Sequence, residues 1–446
     1  MKILQIANGD FFSTYGGGQV YVKNLVDEMI RQGLDVSVLS FVNKKSDIPF
    51  QKQNYKGVDL YEVYQKDESI IKTLIQKIAP DIIHIHAEKA LISRISRELS
   101  IRNVVTAHHG GIVCPAGTLL NCKDEICKVP VNQKDCTRCV LRNTKTGECF
   151  YPLLKIMPLS LRLKMGKALA KLPFIYFVTP IVSANLHIEN KQKEWETIIR
   201  NTDRMIAPSY AIADSMVLNR FPKDKIKIVP HGIPVRHCEL RGTKQEANQK
   251  IDCFEQSSRN DERNLSSFHN KLKFFYVGRI GHIKGIHLLL KAFSQLDTSL
   301  CELHLVGDIK GKCEQKWVKQ YKHCSNIFFH GKIQPDEVAK CIQQWDVLVH
   351  PAIYLEVFGL NISEALSEGK PVIATRCGGA EMQIQDKING LLIEPNNIDE
   401  LKNAMQWMID HPAERKKMAK LAPEKVISME EHVKDLLDVY EKTSLH

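Results

Sequence analysis

Short apolar runs recur along this chain and alternate with segments of helical pattern. Asp35–Ser40, Ile82–His86 and Val104–Ala107 in the first half read as strands, as do Leu303–Gly307, Ile327–His330 and Val347–His350 in the second. Strands separated by helices fold as parallel sheets covered by helices, because a parallel crossover needs a dozen or more residues. The 446 residues suffice for two such units with separate cores, and 43% hydrophobic with 25% charged residues is ordinary globular composition. The most polar break, 236–270, is rich in Gln, Asn, Ser, Lys and Glu and reads as a linker or surface insertion. The expected class is therefore α/β, with two doubly wound, Rossmann-like domains.

The most informative chemistry lies in the run Glu356-Val-Phe-Gly359-Leu360-Asn361-Ile-Ser-Glu364. Gly359 permits close backbone approach to a ligand, and the residues after it start a helix whose free N–H groups attract phosphate. Were the run wholly helical, its two glutamates would stand roughly 12 Å apart, too far to act on one bond but suited to the two ends of a nucleotide-sugar. Glu356 would then hold sugar hydroxyls and Glu364 the ribose. A local alternative is that Asn361 caps the helix and Glu364 closes a capping box.

A second segment, Phe274-Phe-Tyr-Val-Gly278-Arg279-Ile-Gly-His-Ile-Lys284-Gly285, reads as a buried strand, a glycine loop and a helix. It sets Arg279 and Lys284 at the carboxyl end of a strand, the edge where open α/β sheets bind ligands. Arginine grips a diphosphate bidentately and lysine adds a point charge, so both suit a departing diphosphate. No Asp-x-Asp occurs in the chain, which disfavours metal-assisted departure of that group.

Together with Gly369-Lys-Pro-Val-Ile-Ala-Thr-Arg-Cys-Gly-Gly379, these segments resemble the family 4 retaining glycosyltransferases of GT-B fold. The resemblance extends to the glycine loop Gly16-Gly17-Gly18, to Pro80–His86, to Ala207-Pro208-Ser209 and to Val229-Pro230-His231-Gly232. It implies an acceptor domain over 1–235, a nucleotide-sugar domain over 271–422, and a last helix over 423–446 crossing back to the first domain. It also implies transfer of a sugar from a nucleoside-diphosphate-sugar to a hydroxyl acceptor with retained configuration. His108, following Val104–Ala107, matches a histidine placed near the transferred sugar, and Gly16, Gly17 and Gly18 match a loop facing phosphate or acceptor. The chain departs from the family pattern at His109, Gln19 and His231, where relatives often carry Asp, an acidic residue and Asn. An epimerase or phosphorylase on the same architecture is the rival reading, since fold does not fix reaction.

A net charge of +11 suggests acidic partners. No acidic residue lies between Glu148 and Glu189, where Lys155, Arg162, Lys164, Lys167 and Lys171 alternate with apolar residues up to Phe174–Val178. Such a stretch suits an anionic membrane surface, which points to a lipid-linked or cell-surface glycan acceptor. It lacks the aromatic pattern of a nucleic-acid binder, so a metal-bearing nucleic-acid module is the weaker rival. The short opening strand is followed by polar residues and reads as no signal peptide, and no run approaches the ~18 apolar residues of a membrane span. A cytoplasmic protein, peripheral on the inner membrane face, is expected.

Six cysteines, Cys114, Cys122, Cys127, Cys136, Cys139 and Cys149, crowd into residues 114–149 of a chain holding 13. A reducing compartment disfavours disulfides, and Cys136-x-x-Cys139 has metal-knuckle spacing. The expectation is a structural zinc or iron–sulfur cluster on Cys114, Cys127, Cys136 and Cys139, in an insertion that shapes the acceptor side. Sugar transfer itself requires no cofactor in this reading.

Overall fold

A computed structural model of the chain describes residues 1–12, 16–142, 144, 147–169, 183–234, 271–309, 311–334 and 337–445. The polar segment expected as a linker at 236–270 and the apolar run Phe174–Val178 lie outside the described residues.

The first half builds an eight-stranded sheet. Its strands are β1 (Ile3–Asn8), β2 (Val36–Phe41), β3 (Phe50–Tyr55), β4 (Val58–Val63), β5 (Ile82–Ile85), β6 (Arg102–Thr106), β7 (Arg204–Ala207) and β8 (Ile226–Ile228). They lie in the order β3-β4-β2-β1-β5-β6-β7-β8. All pairs are parallel except β3 with β4. The central strands β2 and β5 are buried along their whole length, as helices on both sheet faces require, whereas β3 at the edge is polar.

The second half forms a six-stranded, all-parallel sheet from β9 (Leu272–Val277), β10 (Cys301–Val306), β11 (Ile327–Gly331), β12 (Val347–His350), β13 (Val372–Thr375) and β14 (Gly390–Ile393). Their order, β11-β10-β9-β12-β13-β14, is that of a doubly wound sheet, and the order in which strands are added reverses between β9 and β12. Ligands of such sheets bind in the crevice beyond the strand ends at that reversal. The first sheet has its own reversal between β1 and β5.

Each half has its own apolar core. Leu4, Ile6, Leu39, Ile83 and Val105 anchor one, and Phe274, Leu289, Leu303, Val347 and Ile373 the other. The last helix, Met429–Glu441, packs Val433, Leu436 and Tyr440 into the first half, in one cluster with Ile3, Tyr21 and Val38. It starts later than a helix running straight on from Pro423. A short turn at Ala422–Lys425 precedes it, and Ser428 caps it, accepting from the Glu431 amide. The halves also meet directly, because Leu355 and Val357 from the second half join the first core.

Candidate functional site

At the reversal of the second sheet, the loop after β9 lies against the loop after β12. Gly285 allows this approach: its φ is 71°, and a side chain there would strike the Pro351 carbonyl oxygen at 1.8 Å. The close packing aims Lys284 across the crevice. Its Nζ lies 2.5 Å from Glu356 Oε2, donates to the Tyr354 hydroxyl at 2.8 Å, and sits 4.8 Å from the Tyr354 ring centroid. Burial disfavours both charges of the pair. The attraction outweighs it, so the Lys284 ammonium is raised above its ordinary pKa and Glu356 is held well below the carboxylate range.

Glu356 is not helical. Its backbone is clamped by the glycine segment after β13, donating to Cys377 O at 2.8 Å and accepting from Gly379 N at 2.9 Å. Gly379 is required there, since a Cβ would lie 2.3 Å from Phe358 Cα. The helix begins only at Leu360, with Gly359 as its N-cap at φ 84°. The 12 Å helical separation of the two glutamates is thereby corrected, and so is the capping box, because no side chain caps this helix. Asn361 instead donates to Val277 O at 2.8 Å and lies 3.1 Å from His350 Nδ1, tying the helix to β9 and β12. With Nδ1 facing that amide, His350 presents its Nε2 at 3.3 Å from Glu356, and burial keeps the ring neutral. Arg279 is exposed at the same loop, its carbonyl held by the Tyr276 hydroxyl at 2.9 Å. Glu364 is half-buried in the first turns of the helix.

The first sheet's reversal carries a cavity of about 400 Å³. Gly16, Gly18, His86, Lys89, His108 and Lys191 are among the residues that line it. Gly17 faces the second half, since a Cβ built there would lie 3.9 Å from Leu360 Cδ1. Gly18 approaches His108 similarly, at 3.8 Å. The structure therefore brings the glycine loop, His108 and the start of the Leu360 helix together.

His108 ends a buried relay. Tyr440 Oη lies 2.6 Å from His84 Nδ1 and 3.4 Å from Gln5 Nε2, while Gln5 Oε1 lies 2.8 Å from His86 Nε2 and His86 Nδ1 lies 2.8 Å from His108 Nε2. Burial, reinforced by neighbouring histidines, holds His86 and His108 well below the usual imidazole pKa, so both are neutral. With the Gln5 oxygen accepting from His86 Nε2–H, His86 Nδ1 accepts from His108 Nε2–H. His108 Nδ1 is then the acceptor nitrogen. A neutral imidazole of this tautomer takes a hydrogen bond from a hydroxyl but supplies no positive charge.

The cysteine insertion reaches across to the second half. Asp124 pairs with Arg142 at 2.8 Å and meets His282 at 3.3 Å, and its carbonyl accepts from Asn396 at 2.6 Å. Cys114, Cys127, Cys136 and Cys139 are free thiols near one another, and burial raises the Cys127 thiol above its ordinary pKa. Among the described residues no group of three His, Cys, Asp or Glu side chains is arranged to hold a metal ion. Cys136 turns into a small apolar cluster with Val140, Leu141 and Ile188, and Cys139 Sγ contacts the Asp135 carbonyl of its own helix. Burial pushes Cys136 up to about 12 and Cys139 up to about 11.

Tyr354, His350, His86 and Lys89 join these sites without having been singled out as site residues. His350 and His86 each end a recognisable strand, Val347–His350 and Ile82–His86, which was the available signal. Tyr354 is placed by its contact with Lys284, 70 residues away.

Residues 257–425 match the family described as glycosyl transferases group 1, and residues 15–119 match glycosyltransferase family 4. A Methanocaldococcus jannaschii protein described as an uncharacterized glycosyltransferase is 35% identical over 173 residues, covering 38% of this chain and 48% of its own. A D-inositol 3-phosphate glycosyltransferase of Nocardiopsis dassonvillei is 26% identical over 261 residues, covering 55% of this chain and 57% of its own. The chain thus spans about half the length of the curated relatives it matches. Among solved structures, Anabaena HepE in complex with UDP aligns with a TM-score of 0.64 at 15% identity, over 99% of this chain and 100% of that one.

Proposed function

We propose, from the premise that this chain belongs to the family 4 glycosyltransferases of GT-B architecture, that it moves a sugar from a nucleoside-diphosphate-sugar to a hydroxyl acceptor with retained anomeric configuration. The observation that carries the reading is the Lys284–Glu356 pair in the crevice of the second sheet, across from a neutral His108 at the first. Lys284 and Arg279 offer the cations that a departing diphosphate requires, which is electrostatic stabilisation supplied without a metal. The start of the Leu360 helix takes phosphate oxygens. Glu356, already anionic, accepts sugar hydroxyls once a donor diphosphate draws Lys284 toward itself, and Glu364 serves the ribose. His108 Nδ1 accepts from a hydroxyl at the reacting end. The UDP held by HepE and the inositol phosphate named for the Nocardiopsis relative are in keeping with this reading.

The acceptor belongs, in this proposal, to cell-surface glycan or glycolipid assembly on the cytoplasmic membrane face. Among the described residues no helix is long and apolar enough to cross a membrane. Helix Gly147–Ile156 nevertheless exposes Leu153 at 60% and Ile156 at 84%, and it and the helix Leu159–Leu169 carry the exposed cations Lys155 and Lys164. Exposed apolar side chains and cations on successive helices are what an anionic bilayer surface attracts.

The test is melting temperature against a panel of nucleotides and nucleotide-sugars, with product analysis. A ligand at about 100 times its Kd adds about 2.7 kcal/mol of stability. One diphosphate family should stabilise the wild type and not Lys284→Ala, and the transferred sugar should keep its anomeric configuration by NMR. Turnover without any acceptor would instead indicate an epimerase, and dependence on inorganic phosphate a phosphorylase.

A further inference from the structure

The cavity of the first sheet holds a cation, Lys89, that makes no direct ion pair among the described residues. Lys89 opens the helix Lys89–Glu98, where the positive end of the helix disfavours an ammonium group. The residue before it, Glu88, adopts φ 47°, a left-handed conformation that costs a non-glycine residue energy and is found disproportionately at functional sites. Lys89 Nζ donates to the His86 carbonyl at 2.5 Å, and among the described residues no carboxylate lies within ion-pair distance of it.

The acids nearby are engaged elsewhere. Glu88 pairs with Lys66, Glu194 pairs with Lys191 at 3.0 Å, and Asp10 accepts from the Phe12 amide at 2.9 Å. Burial, and then the charge of Lys191, bring Lys89 down to about 8 against the smaller opposing fields of Glu194 and Glu88, which leaves it mostly protonated at neutral pH. Glu88, Lys191 and Glu194 line the same cavity, as do Gly16 and Gly18 at the N-terminus of the helix Gly17–Arg31. A largely desolvated cation is costly unless an anion completes it.

We propose that this cavity takes an acceptor through an oxyanion on that acceptor, a phosphate or a carboxylate, with Lys89 as the contacting cation. The inference rests on the transferase reading and names its acceptor class: an acidic hydroxyl compound rather than a neutral sugar. The volume of about 400 Å³ is within the range of small-molecule pockets, and His108 lines the same space, so the anion and the reacting hydroxyl belong to one compact acceptor head. Lys191, already paired with Glu194, adds to the field without being the primary contact.

The experiment works in the Lys284→Ala background, which silences the donor crevice. Inorganic phosphate, glucose 6-phosphate, glucuronate and glucose are titrated calorimetrically at low ionic strength into this variant, and into versions that also carry Lys89→Gln or Lys89→Arg. Anion binding should persist in Lys284→Ala, weaken at least tenfold with Lys89→Gln, and recover with Lys89→Arg. Glucose 6-phosphate against glucuronate tells phosphate from carboxylate. Binding indifferent to Lys89→Gln, glucose binding as well as its acidic derivatives, or no anion binding at all would each overturn the proposal. Nucleotide-induced stabilisation of the single variant Lys89→Gln, matching that of the wild type, shows an intact fold. Its absence from wild type would count against the transferase reading instead.

Discussion

At the reversal of the second sheet, Lys284 and Glu356 stand 2.5 Å apart as a preassembled pair of opposite charges, whereas at the reversal of the first, His86 and His108 are stripped of charge by burial and Lys89 has no carboxylate within ion-pair distance among the described residues. Both crevices lie beyond the strand ends of parallel sheets, where open α/β folds place ligands. The difference is in what each holds ready. The second crevice satisfies its own charges until a ligand exchanges with one of them, which keeps a desolvated pair from being left unmatched. The first keeps neutral hydrogen-bonding rings beside one uncompensated cation, an arrangement completed by the ligand rather than by the protein.

The comparison breaks most visibly at Lys284. Lys284→Ala leaves Glu356 buried without its cation and should lower transfer by roughly 10²- to 10³-fold, measured by product formation. It should also cost roughly 2–4 kcal/mol in urea unfolding, because Lys284 is 21% and Glu356 10% exposed and solvent screens the pair only slightly. His108→Ala touches no ion pair, so it should lower transfer about 10²-fold while nucleotide-induced stabilisation stays at the wild-type value. If it abolished nucleotide binding, the separation into donor and acceptor crevices would fail.

Acidification sharpens the contrast. Glu356 has a folded pKa below its unfolded one, so its stabilisation is complete above about pH 4.3 and declines only as pH falls through the depressed value. The buried histidines behave differently: His84 is brought down to about 3 and His432 to about 4, chiefly by burial. The unfolded chain takes up their protons first, so stability falls as pH drops below about 6.5, by up to about 1.4 kcal/mol per pH unit for each histidine. Urea titrations should show that decline between pH 6.5 and 5 unchanged in Glu356→Gln, with the mutant less stable than wild type by a constant amount above about pH 4.3 and the gap closing only as pH falls below it.

The smallest effect belongs to the bridge between the halves. Asp124→Ala removes a partly exposed ion pair and should cost less than about 1 kcal/mol, with donor KM changed by less than about threefold. A larger change would mean that the insertion couples the two crevices.

Much of the second crevice was legible in advance. Strand, glycine loop and helix follow one another within Phe274–Gly285, and the cations occupy that same contiguous stretch. Glu356 was legible for the same reason, but its surroundings were not. The glycine segment after β13 clamps its backbone, and Lys284, 72 residues earlier, fixes its side chain. Asn361 shows the limit of local reading, since its type and position fit a helix cap, yet the helix starts one residue earlier and the amide bridges two strands instead. The cysteines show the same limit, because knuckle spacing describes where thiols occur along a helix and not which of them face an apolar cluster, as Cys136 does.

By itself, the sequence determined two parallel sheets covered by helices, the glycine loops that end particular strands, and the residue types offered at those loops. Periodic burial and tight turns are local demands on a backbone, so they are written in neighbouring residues. Tertiary structure alone decided that Lys284 meets Glu356, that Tyr440 from the last helix reaches the histidine relay of the first sheet, and that Lys89 meets no carboxylate among the described residues. Charge state in a desolvated space depends on which groups share that space, and residues far apart in the chain come to share it only when the chain folds.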